Sequence, residues 1–109
     1  MRVDKLADMT RGWVAGDFAP SVLRTKAFEV AVQHFKAGDV EVAHYHAKAT
    51  EITIVVLGQV RMFGQTFSEG DVVTAEPGDV TSFKALTDAI TTVIKTPSVP
   101  NDKFIDQSA

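Results

Sequence analysis

The run Gly38-Asp39-Val40-Glu41-Val42-Ala43-His44-Tyr45-His46-Ala47-Lys48-Ala49-Thr50-Glu51-Ile52-Thr53-Ile54-Val55-Val56-Leu57-Gly58 reads as two strands around a short break at Ala47 to Thr50. His44 and His46 are two apart in the first strand, so both imidazoles leave the same face. Glu51 opens the second strand, and its carboxylate can return to that face. Two imidazoles and one carboxylate arranged in this way suit a divalent first-row metal and leave positions open for water or substrate. The alternative is a structural histidine pair. It would place two polar rings on one inward face, which is costly unless something binds them.

The same punctuated pattern extends in both directions. Val, Ile and Thr supply 31 of the 109 residues, a β-branched content that fits a pleated, half-buried surface. Strands are predicted at Phe28 to Phe35, Val40 to His46, Glu51 to Val56, Val60 to Phe63, Val72 to Ala75, Thr81 to Ala85 and Ala89 to Lys95. Turn residues separate them, among them Ala37-Gly38-Asp39, Glu69-Gly70-Asp71 and Glu76-Pro77-Gly78-Asp79. Short strands at this spacing predict an all-β sandwich or small barrel. The one weak helical turn falls within Asp4 to Thr10.

Size and charge narrow the function classes. The length is that of one domain, and 45% hydrophobic residues suffice for a core. With no cysteine, disulfides, thiolate zinc sites and cysteine nucleophiles are excluded, and any metal must be held by nitrogen and oxygen. A formal charge of -3 with no basic run gives no footprint for nucleic acid or an anionic membrane. No stretch approaches the roughly 18 apolar residues of a membrane span. The charged segment Met1 to Gly12 does not read as a secretory signal, so a cytoplasmic address is expected.

The spacing Gly38, five residues, His44, one residue, His46, four residues, Glu51, six residues, Gly58 resembles the first motif of the cupin superfamily at every fixed position. Gly70 to Phe83 is similar to the second motif in length and in its glycines. The resemblance covers Phe28 to Lys95 and implies a small single-domain cupin: a β-barrel, or double-stranded β-helix jelly roll, with its site inside the barrel mouth. Residues 1–27 would then form an N-terminal arm, 28–95 the barrel and 96–109 a tail across the outside of the sheet or a partner. It implies a divalent metal (Mn, Fe, Ni or Zn) on His44, His46 and Glu51, with the same residues as catalytic candidates. The ligand would be a small polar, sugar or sugar-acid-like molecule, handled by isomerase, lyase or oxygenase chemistry. A homodimer is expected, with Trp13, Phe18 and the tail outside the core motif. A non-catalytic binding or regulatory cupin is the alternative.

The second motif departs from the family where it matters most. Glu76 stands where the motif carries proline, and Thr81 where it carries the histidine that is the last metal ligand. Two outcomes stay open: a three-residue metal triad completed by waters, or imidazoles used for recognition and acid/base work. Tyr45, Met62, Thr81 and Phe83 are the expected cavity residues. His34 lies on the parity of Phe28, Val30 and Val32, which reads as the buried face, but Lys36 shares that parity, so His34 is not counted among the cavity residues. Glu76 is expected to be solvated in its turn, and Lys95 to be a solvated strand end. Trp13 either lines the mouth of a site, docks on a partner or covers an open barrel end.

Overall fold

The computed structural model describes residues 1–107 and consists of two antiparallel-rich sheets closed over one interior. Eleven strands run β1 Trp13–Gly16, β2 Leu23–Arg24, β3 Glu29–Phe35, β4 Val40–His46, β5 Thr50–Leu57, β6 Gln59–Met62, β7 Gln65–Ser68, β8 Val72–Ala75, β9 Thr81–Ala85, β10 Ala89–Thr96 and β11 Lys103–Ile105. One sheet has the order β2-β1-β3-β10-β5-β8, the other β11-β4-β9-β6-β7. Each strand between Phe28 and Lys95 that the sequence predicts is present, and the all-β jelly roll stands. The helical turn is a pair of 3-10 turns, Leu6–Asp8 and Thr10–Gly12. Among the described residues, no helix is long and apolar enough to cross a membrane.

Four strands escape the pattern. β7 follows β6 across the two-residue turn Phe63-Gly64, where both residues take positive φ. β1 and β2 belong to the arm, which adds itself to the edge of β3. Gly12 makes this approach possible: its φ is +81°, and a Cβ there would overlap the Val32 carbonyl. β11 pairs with β4 in register His46↔Lys103, Tyr45↔Phe104 and His44↔Ile105, so the tail joins the sheet as an edge strand beside the histidines.

The interior divides along its length. Val55, Val60, Met62, Phe83, Ala85 and Ala89 form an apolar cluster, with Phe35, Phe63 and Phe67 packed against it. Toward the other end the same strands turn polar: Thr53, Thr81, Thr91, His44 and His46 are all buried. Apolar burial of the first kind drives folding. The polar end must satisfy its groups or bind something.

Candidate functional site

His44 and His46 reach the polar end from β4, and Glu51 reaches it from the start of β5. Both imidazoles are buried, at 5% and 7% exposure, and their rings stand edge-on with centroids 5.7 Å apart. His44 Nδ1 lies 2.8 Å from the Val42 carbonyl. A carbonyl only accepts, so Nδ1 carries the proton and Nε2 presents a lone pair. Glu51 Oε2 stands 3.6 Å from His46 Nδ1, while His46 Nε2 is buried with no hydrogen-bond partner. Burial, reinforced by the charges of Lys95 and His44, lowers the His46 pKa to about 4, so the ring is neutral at pH 7. Burial also raises the Glu51 carboxyl, against the opposing pull of Lys95.

These groups line a small chamber of about 80 Å³ together with Arg11, Trp13, Gln33, Glu41, Val93, Lys95 and Lys103. Outside it lies a vestibule of about 440 Å³ between arm and tail, which shares Arg11, Trp13, His46, Lys95 and Lys103. Met62, Thr81 and Phe83 line the inner wall with His44 and Glu51. Tyr45 does not join them. It leaves the opposite face of β4 and stacks on Phe104, with centroids 5.5 Å apart.

The donors suit a metal in kind, since two imidazoles, one of them with an unpartnered Nε2, and a largely enclosed carboxyl border one chamber. They are not gathered around a point. Among the described residues, no group of three or more His, Asp or Glu side chains stands in an arrangement that could hold an ion, and Glu51 faces the Nδ1 edge of His46. Thr81 is a weak further donor: its hydroxyl accepts the Phe63 N–H at 3.1 Å and donates to the Ser82 carbonyl at 2.8 Å, and an alcohol oxygen is a poor ligand beside imidazole.

Several side chains differ from their sequence expectation. His34 is exposed, because β3 turns Ala31, Gln33 and Phe35 inward. The 3-10 turns of the arm partly cover Val32 from outside, so both faces of β3 look half-buried in sequence. Lys95 is not a solvated strand end. It is 14% exposed, 3.3 Å from Glu29 and 4.8 Å over the Trp13 ring, because β10 lies between β3 and β5 and encloses its last residues. Trp13 lines the mouth and meets Phe18 edge-on. Glu76 is solvated as expected, accepting only a 3.2 Å hydrogen bond from Thr50.

Asp102 is the structural residue the sequence hides. Its Oδ1 accepts the N–H groups of Ala47 and Lys48, and its Oδ2 those of Lys48 and Ala49, all within 2.9 to 3.2 Å. These amides form the connection between His46 and Glu51. Burial raises the Asp102 carboxyl, and the three N–H donors outweigh it and lower the pKa. The tail thereby clamps the turn that spaces the candidate ligands.

No family model matches the chain, and no curated protein matches it. Solved structures do match. KdgF from Halomonas sp. is 26% identical over 67% of this chain and 72% of its own, with a TM-score of 0.61. An uncharacterized conserved protein with a double-stranded β-helix domain from Klebsiella pneumoniae is 19% identical over 97% of this chain and 92% of its own, with a TM-score of 0.71. A sugar phosphate isomerase of the cupin superfamily from Silicibacter pomeroyi is 21% identical over 74% of this chain and 57% of its own, with a TM-score of 0.66. With two sheets closed over one cavity, the first motif's spacing and these likenesses, the chain has the double-stranded β-helix fold of the small cupins.

Proposed function

We propose that this cupin-fold chain binds a divalent first-row cation through His44, His46 and Glu51 and handles a small polar, sugar-acid-like ligand in the vestibule above it. The observation that carries the reading is the buried, unpartnered Nε2 of His46, with the Glu51 carboxyl, 12% exposed, at the Nδ1 edge of the same ring. An unsatisfied lone pair and a desolvated carboxyl are each costly, and one cation relieves both. Bound there, the ion supplies Lewis acidity toward a carbonyl or hydroxyl oxygen.

The remaining work falls to the chain. The Val42 carbonyl holds His44 with Nε2 toward the chamber. Trp13 and Phe18 wall the vestibule and keep water from one side of a ligand. Arg11 stands at the rim of both cavities, paired with no carboxylate among the described residues, and suits the acid group of the ligand. The carboxylates nearby are committed elsewhere: Asp17 to Arg24, Glu29 to Lys95 and Ser98, Asp102 to the turn.

Elemental analysis of protein purified without chelator or nickel resin tests the reading. A stoichiometric first-row metal that disappears in the His44→Ala/His46→Ala variant supports it, and protein that stays metal-free after reconstitution overturns it. Thr81 favours a second reading, a binding or regulatory cupin, because its committed hydroxyl leaves the site short of the family's last ligand. Metal-loaded wild type and Glu51→Gln with equal turnover on a panel of keto sugars would select that reading.

A further inference from the structure

Glu41 lies outside the first cupin motif's fixed positions, and strict alternation from His44 and His46 would point it to solvent. The pairing of β4 with β9 shows otherwise. Glu41 faces Phe83 and His44 faces Thr81, so three steps on β4 match two on β9. That extra residue is a β-bulge, which re-aims the chain before it. Val40 and Val42 are thrown outward, at 66% and 63% exposure, and Glu41 lines the same two cavities as His44 and Glu51. Its Oε2 is 3.6 Å from Lys103 Nζ, a partly exposed pair worth little on its own.

Across β9, the place of a fourth ligand is filled by a hydroxyl, a poor metal ligand beside imidazole, whose proton is already given to the Ser82 carbonyl and which already accepts the Phe63 N–H. His46, only 7% exposed, lines the same chamber as Glu41 and has an unpartnered Nε2. We propose that Glu41 is the fourth protein ligand of the cation site, delivered from β4 by the bulge in place of a residue from β9. The proposal rests on the cation-binding reading above. It makes the site two imidazoles and two carboxylates, a set suited to a hard or borderline divalent ion. Lys103 then acts as the resting partner of Glu41 and releases it when the ion enters.

The test is a titration of manganese(II) into chelator-stripped protein, paired with the visible spectrum of the cobalt(II) form. Glu41→Gln should weaken manganese at least about tenfold, the loss typical even of an outer-shell partner. It should also shift the cobalt bands, which report the ligand set. Glu29→Gln removes the same charge from the vestibule wall without removing a ligand, and should leave those bands in place with an affinity change under about threefold. Unchanged cobalt bands in Glu41→Gln, in a wild type that binds, overturn the role of Glu41 alone. A wild type that takes up neither ion overturns the cation reading and this proposal together.

Discussion

Asp102 Oδ2 accepts the Ala49 N–H at 2.9 Å across 53 residues of sequence, and so ties the C-terminal tail to the turn between His46 and Glu51. The turn carries no helix and no ladder of its own, so its amides depend on this one carboxylate. Asp102→Ala leaves three buried or partly buried N–H groups without an acceptor, at roughly 1 kcal/mol or more each. Urea unfolding should show a loss of about 2 to 4 kcal/mol. Amide exchange should accelerate first at residues 47 to 49, ahead of β5 and β10.

Glu51 carries a different prediction, in which stability and binding move in opposite directions. Its pKa is raised, chiefly by burial, so the folded chain holds this proton to a higher pH than the unfolded chain does. The favourable contribution of the protonated acid is lost as pH rises from the unfolded value through the folded one. Glu51→Gln should therefore stabilise the metal-free protein relative to wild type as pH rises, in thermal or urea melts, while abolishing metal uptake.

His46 titrates with the reverse sign. Its pKa falls from 6.5 to about 4 on folding, mainly through burial, so below the unfolded value the unfolded chain binds the proton first. Stability present above pH 6.5 should decline as pH falls toward 4, by up to about 3 kcal/mol. Urea unfolding of metal-free wild type and His46→Gln at several pH values isolates the effect, since the variant should lack this share of the slope.

Thr81 faces His44 across the β4 and β9 pair. Thr81→His places an imidazole where the family's second motif has one, and should tighten manganese binding by about tenfold or more, as measured by titration calorimetry. It removes the acceptor of the Phe63 N–H, so the metal-free protein should lose about 1 kcal/mol.

What could be read from the sequence follows from what the local pattern encodes. His44, His46 and Glu51 were legible because a period of two places them on one face, and the spacing of the surrounding glycines marks the motif. Glu41 was hidden because a bulge changes the period and leaves no mark in composition. Lys95 looked like a strand end because sequence gives the length of β10, not its place between β3 and β5. The parity of His34 reads as the buried face because the arm partly covers the outside of β3 and blurs its alternation. Asp102 reads as one more polar residue in a proline-containing tail, since its partners lie more than 50 residues away. The seven strands of the barrel carried their own turn chemistry. The edge strands β1, β2 and β11 form only because the rest of the sheet is there to receive them.

Anomalous X-ray scattering at the absorption edge of the metal found by elemental analysis tests the central claim most directly. In a crystal of metal-replete protein, the expected result is one strong anomalous peak in the chamber, within about 2.0 to 2.3 Å of an imidazole nitrogen of His44, of His46 and of a Glu51 oxygen. A replete crystal with its anomalous density elsewhere, and none among these three side chains, would contradict it.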